Sequence, residues 1–285
     1  MNTAQRFGRT ALDILVGVAV LGAAIALHRF ALVPLVEGAF TWDEAAFTQV
    51  RRVSLTALFV IAYALGVRLS LRRWPTDLRF QPVVWALSGF AGAAMIAVPM
   101  IILWATGTYQ ITEVGTGAFF PLLSLALVVF AAALLEEIVF RGILFGAVER
   151  YFGTIVAIIV PSILFSVLHI FNDNWGGGLA LASGVLLGVF WTLVYVVTRS
   201  IWAVALNHAC WNLTIVLSGL PLTGAQDWRA MAPIQTEPTG PAWWSGGDAG
   251  PESTLLCVGV LVLGCIVLWR SVVRQGAVGA SPETT

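Results

Sequence analysis

The sequence predicts an all-α fold, a polytopic membrane bundle of about eight transmembrane helices forming one integral-membrane domain over residues 1–285. Three observations carry that expectation. Hydrophobic residues make up 59% of the chain and charged residues only 11%, and the mean hydropathy of +0.89 lies far above that of a water-soluble domain, so the solvent for this fold is lipid. Apolar stretches near spanning length recur at about 11–28, 53–71, 83–104, 118–150, 154–171, 179–198, 201–220 and 254–273, each bounded by polar, Gly or Pro residues. The basic residues, all Arg, concentrate in alternate connections.

The first stretch follows Arg6 and Arg9, and its Ala24-Ile25-Ala26 fits a small-residue cleavage pattern. It is nonetheless longer than the roughly 7–15-residue core of a signal peptide, and the later spans need no leader, so it reads as a retained helix. With the N-terminus inside, the inner connections hold Arg6, Arg9, Arg68, Arg72, Arg73, Arg79, Arg150, Arg199, Arg270 and Arg274. The outer ones hold Arg29, Arg51, Arg52 and Arg229, with Glu37, Asp43, Glu44, Glu113, Asp173, Asp227, Glu237, Asp248 and Glu252. Excess Arg marks the cytoplasmic side, which places both termini there. The absence of Lys together with abundant Ala, Val and Gly suggests a GC-rich bacterial genome, hence a bacterial inner (plasma) membrane.

Trp74, Trp85, Trp104, Trp175 and Trp202 fall at helix ends as an aromatic belt. The small-residue run Gly89–Ala94 and the pair Gly184 and Gly188 allow close helix packing. His28 reads as an interfacial residue ending the first helix, and residues 221–253, rich in Pro, Gly and Trp, as an irregular outer loop. Cys210, Cys257 and Cys265 lie in apolar spans without CxxC spacing and read as packing residues. Zero net charge and the lack of a basic face with interleaved aromatics argue against a nucleic-acid partner.

Within the fourth stretch stand two carboxylates and a guanidinium, Glu136, Glu137 and Arg141. Ionisable groups at membrane depth cost at least a few kcal/mol each and as a rule pair, line a cavity or do chemistry. Glu137 and Arg141 are i and i+4 in the favourable order, so they can pair on the helix itself, and a permanently charged guanidinium takes a supporting role. Glu136 lies about 21 Å along its helix from the turn at Tyr151-Phe152-Gly153, and His169 about 22 Å up the next helix, so the two are level if those helices are antiparallel. A carboxylate and an imidazole so placed can hold and deprotonate a water. His208 and Asn212, at i and i+4 on the seventh helix, share one face and can donate to a developing oxyanion. The competing structural readings are an ion network for the Glu/Arg group, a helix-end His169 capped by Asn172-Asp173-Asn174, and interhelical hydrogen bonding for His208 and Asn212.

The sequences Glu-Glu-Ile-Val-Phe-Arg-Gly at 136–142, Phe165-Ser166-Val167-Leu168-His169 and His208-Ala209-Cys210-Trp211-Asn212 resemble the EExxxR, FxxxH and HxxxN motifs of the CPBP (CAAX protease and bacteriocin-processing, Abi) family of intramembrane proteases. All three occur in order and intact, in a catalytic core at about 118–220. The resemblance implies hydrolysis of a peptide or membrane-protein substrate in the bilayer, with Glu136 and His169 activating water, His208 and Asn212 stabilising the tetrahedral intermediate, and Glu137 and Arg141 in support. It favours a metal-free site; zinc held by Glu136, His169 and His208 is the alternative, without the HExxH arrangement that would favour it. By resemblance to the CAAX-type enzymes, a substrate tail is expected to arrive from the cytoplasmic side. Two further function classes stand beside this one. A non-catalytic scaffold or bacteriocin-immunity protein of the same family is the stronger, and a proton-coupled transporter the weaker, because no second copy of the Glu-Glu motif marks a repeated half.

Overall fold

Helix starts and stops follow local chemistry. In the computed structural model, which describes residues 1–115, 119–172, 174, 176–223 and 229–277, helix α1 (Thr3–Ala39) opens on a reciprocal capping box between Asn2 and Gln5. It widens at His28–Leu32 just before Pro34, which lacks an amide donor and crowds the preceding turn. Asp43 caps α2 (Glu44–Leu71) through the Ala46 amide. Pro82 begins α3 (Pro82–Ala105), where its missing N–H costs nothing. Phe119–Glu137, the wide turn Ile138–Phe145 and Gly146–Phe152 run on as α4, which stops at Gly153 with φ of 84°. Then follow α5 (Thr154–His169), α6 (Gly177–Thr198), α7 (Ile201–Leu217), capped by Ser200, and α8 (Leu255–Arg274), capped by Thr254.

Each predicted stretch is thus a helix. Among the described residues, six helices are long and apolar enough to cross a membrane. The other two, α5 and α7, have 16 and 17 residues, about 24–26 Å at 1.5 Å per residue, short of a hydrocarbon core of about 30 Å. For α7, burial against neighbours accounts for the short length, since Ile201, Ala203, Val204 and Ala205 at its start are fully enclosed; α5 instead keeps one face exposed, with Ile155, Ile159, Ile163 and Leu168 on it.

The helices alternate in direction, and their contacts define two ends. At the arginine-rich end, Arg6 donates to the Tyr151 carbonyl, Arg150 pairs with Asp13, and Arg199 makes a two-pronged pair with Glu149 at 2.7 and 2.8 Å. Buried Asp77, from the α2–α3 connection, accepts hydrogen bonds from Tyr63 of α2 and Tyr195 of α6 at 2.7 and 2.8 Å. At the opposite end Arg52 is bonded to Ser124, tying the start of α2 to the start of α4.

That opposite end departs from the sequence reading. Residues 221–253 are not wholly irregular: β2 (Ile234–Pro238) pairs antiparallel with β1 (Tyr109–Val114), from the α3–α4 connection, with a break in register between Ile111 and Glu113. Neither strand shows a two-residue period, because the ribbon is mostly exposed and the pairing spans more than a hundred residues. Tyr109 anchors it, its buried hydroxyl donating to the Ser245 carbonyl at 2.9 Å, and burial pushes that phenol above its ordinary range so that it stays a donor. His28 does not end a helix at the interface; α1 continues past it, and its ring is buried against Ser54 of α2, Nε2 to Oγ 2.9 Å. Trp74, Trp85, Trp104 and Trp202 do lie at helix ends. Trp175, Asp173, Asp227 and residue 118 lie outside the described residues.

Small residues set the closest approaches. A Cβ on Gly184 would stand 2.5 Å from Ser166 Oγ and one on Gly188 2.8 Å from the Ser162 backbone, so α5 and α6 nearly touch. Gly92 meets the Asn207 carbonyl in the same way, seating α3 on α7.

Candidate active site

The carboxylates of Glu136 and Glu137 are adjacent in sequence but point to different partners. Glu137 is completely buried. Its Oε1 accepts from Arg141 Nη1 at 3.0 Å and from His208 Nδ1–H at 2.7 Å, and Arg141 Nη1 also lies 2.9 Å from Oε2. Arg141, equally buried, donates through Nη2 to the Gly188 carbonyl at 2.8 Å and through Nε to Thr192 Oγ1 at 3.3 Å. The buried guanidinium therefore has hydrogen-bonding and ionic partners on three sides, as a charge at this depth requires.

Glu136 is different. Its side chain is about one-third exposed, yet Oε2 is buried without a hydrogen-bond partner among the described residues; the nearest imidazole nitrogen, His208 Nε2, is 3.8 Å away, beyond hydrogen-bond range. Glu136 also lines a cavity of about 200 Å³, which it shares with His169, His208 and Asn212. One water needs only about 10–15 Å³ of such space, so the cavity admits water together with part of a larger molecule.

The tautomers follow from the partners. A carbonyl only accepts, so the contact of 2.7 Å between His169 Nδ1 and the Phe165 carbonyl places the proton on Nδ1 and leaves Nε2 as the basic nitrogen. In His208, Nδ1–H is committed to Glu137, which leaves Nε2 as the atom on the Glu136 side. Asn212, one turn further along α7, lines the cavity with no side-chain hydrogen bond among the described residues.

All four expected catalytic residues thus border one cavity, and Glu137 and Arg141 support it from behind. Three contributors carry no motif. Trp191 of α6 stacks on the His208 ring with centroids 3.6 Å apart and planes at 20°, and is itself fixed by Asn207 at 3.1 Å, whose amide reaches the Ser88 carbonyl at 2.7 Å. Thr192 helps hold Arg141. Glu252, from the connection before α8, lines the cavity while accepting from Trp211 Nε1 at 3.0 Å and from Thr223 N and Oγ1 at 3.1 and 2.6 Å. The charge of Glu252 in a loop of weak pattern gave no hint of this; only its partner's place between His208 and Asn212 ties it to a motif. Among the described residues, no group of three His, Cys, Asp or Glu side chains stands close enough together to hold a metal ion.

The fold and site define a helical membrane protein with a buried acid–imidazole centre beside a polar cavity. Residues 118–214, from α4 into α7, match the family model described as Rce1-like, type II CAAX prenyl endopeptidase Rce1-like. The match covers all three motifs and supports assignment of the chain to the CPBP/CAAX protease family. Nothing among curated proteins and nothing among solved structures matches the chain.

Proposed function

We propose that this protein is an intramembrane endopeptidase in which Glu136, with His169, activates a water against a peptide carbonyl. The observation that carries the reading is that Glu136, whose Oε2 has no hydrogen-bond partner among the described residues, lines one cavity with His169, His208 and Asn212. Glu136 takes a proton from water as the oxygen attacks the carbonyl carbon, and His169 Nε2 orients that water. The carbonyl oxygen becomes an oxyanion facing the Asn212 amide and His208 Nε2, which donates to it when the imidazole carries both protons. As the tetrahedral species collapses, the C–N bond breaks and the proton held by Glu136 passes to the leaving nitrogen, giving a carboxylate and an amine. No metal is needed for these steps. The arginine-rich end lies in the cytoplasm of a bacterial cell under this reading.

Cleavage of a panel of labelled peptides and membrane-protein tails in liposomes, by wild type and Glu136→Gln, with and without chelator, tests it. Loss of cleavage in the variant together with indifference to chelator is expected. Chelator sensitivity would restore zinc, and no cleavage by folded wild type would favour a non-catalytic scaffold.

A further inference from the structure

Helix interiors form most of the cavity wall, and the connections that border it come from one end of the bundle. Asn172 and Gly176 belong to the α5–α6 connection, Leu222 and Thr223 to the chain leaving α7, and Ala249, Glu252 and Ser253 to the approach to α8. All of these connections lie at the end opposite the arginine-rich one. A polar clasp joins them: Asn172 Nδ2 donates to the Thr223 carbonyl at 2.8 Å, and Thr223 in turn donates to Glu252. Behind the cavity, toward the arginine-rich end, stand Glu137, Arg141, Thr192 and Phe145, all completely buried, then Tyr195 and Asp77, also buried. Among the described residues, this layer of buried side chains lies between the cavity and the arginine-rich end.

The lining also has a one-sided chemistry. Its ionisable groups are Glu136, Glu252, His169 and His208, and among the described residues no Arg lines it. Arg141 is committed to Glu137, Gly188 and Thr192, and the chain contains no Lys. A free C-terminal carboxylate, or an acidic residue beside the scissile bond, would meet two carboxylates with no Arg or Lys among the described lining residues to offset them, and His208, the imidazole that the mechanism protonates, is already held by Glu137.

On the basis of the protease reading above, we propose that the substrate is an internal polypeptide segment, neutral or basic beside the scissile bond, that reaches Glu136 past Asn172, Thr223 and Glu252 from the end opposite the arginine-rich face. With that face cytoplasmic by its charge, the segment is an extracytoplasmic, membrane-proximal stretch of a membrane-anchored or exported protein. A prenylated cytosolic tail arriving carboxylate-first is the substrate this cavity is least suited to hold.

The test uses the full chain with Cys210, Cys257 and Cys265 replaced by Ala and one reporter, Ala180→Cys or, as a second site, Leu222→Cys, both on the cavity wall. Membrane-impermeant maleimide is applied to either face of oriented vesicles, with Asp43→Cys and Arg72→Cys marking the two ends. The reporters are expected to label from the Asp43 face and not from the Arg72 face. A ten-residue peptide amide with Lys beside its centre is expected to protect them at least 10-fold better than the same peptide with Glu there, or one ending in a free carboxylate at that position. Labelling from the Arg72 face, protection by none of the peptides, or equal protection by the acidic ones overturns the proposal. Cleavage of the same peptides is read separately. Sided labelling with selective protection but no cleavage removes the protease reading and leaves the access route and charge preference standing.

Discussion

Glu137 Oε1 lies 2.7 Å from His208 Nδ1, so one buried carboxylate joins α4 to α7 and fixes the direction in which the imidazole presents its other nitrogen. Its neighbour Glu136 makes no such bond. Two identical side chains, adjacent in sequence, are thereby separated into one held by Arg141 and His208 and one without a hydrogen-bond partner for Oε2 among the described residues, since successive helical positions point about 100° apart.

The two acids should therefore fail differently when neutralised. Glu136→Gln is expected to abolish cleavage with an unchanged unfolding midpoint in detergent, because it removes only proton-accepting capacity. Glu137→Gln is expected to lower both, because Arg141 and His208 lose their shared anion and a buried guanidinium is left unpaired, typically a loss of about 3–5 kcal/mol. Equal stability of the two variants would refute the division of roles.

Much of this was legible in the sequence. Hydropathy marked every long helix, and the i, i+4 spacing of Glu137 and Arg141 implied the pair that is found. What escaped was tertiary. The link from Glu137 to His208 crosses 71 positions, and the stacking of Trp191 on His208 depends on how α6 and α7 are juxtaposed. The β1–β2 ribbon has no pattern in either strand alone. The first helix reads as ending at His28, yet a wide turn at His28–Leu32 carries it on past Pro34 to Ala39. The substrate route expected by resemblance was cytoplasmic, whereas the cavity is bordered by connections at the opposite end from most of the Arg residues.

Asn212→Ala is expected to reduce kcat on the order of 100-fold with little change in stability, as loss of a single oxyanion donor does elsewhere. Its amide has no structural bond to lose among the described residues. Steady-state kinetics on a cleaved peptide measures this, and a change of less than about threefold would reduce Asn212 to a packing role.

Arg141→Ala removes three donated contacts and strands Glu137 in the core. Expression and thermal stability should fall first, with a midpoint loss visible before any kinetic comparison is meaningful. Arg141→Lys should rescue only partly, since one ammonium cannot reproduce the fork that reaches Glu137, Gly188 and Thr192 together. Normal folding and normal activity of the Ala variant would contradict the support assigned to this residue.

Gly188 offers a purely steric test of how the site is assembled. A methyl there would stand 2.8 Å from the Ser162 backbone, which cannot move aside like a flexible side chain, and the Gly188 carbonyl already accepts from Arg141 and Thr192. Gly188→Ala must therefore push α5 away from α6, and α5 carries His169 on nearly the same helical face two turns beyond the contact. The expected cost is about 1–3 kcal/mol, as for overpacking elsewhere, together with a drop in kcat. Gly259→Ala on α8 is the control, because nothing lies within 4 Å of a Cβ there, and Ala's better helix propensity of about 1 kcal/mol should leave stability unchanged or raised. Thermal unfolding in detergent with parallel cleavage assays compares them. Indistinguishable behaviour of the two variants would mean that the close α5–α6 contact does not position His169.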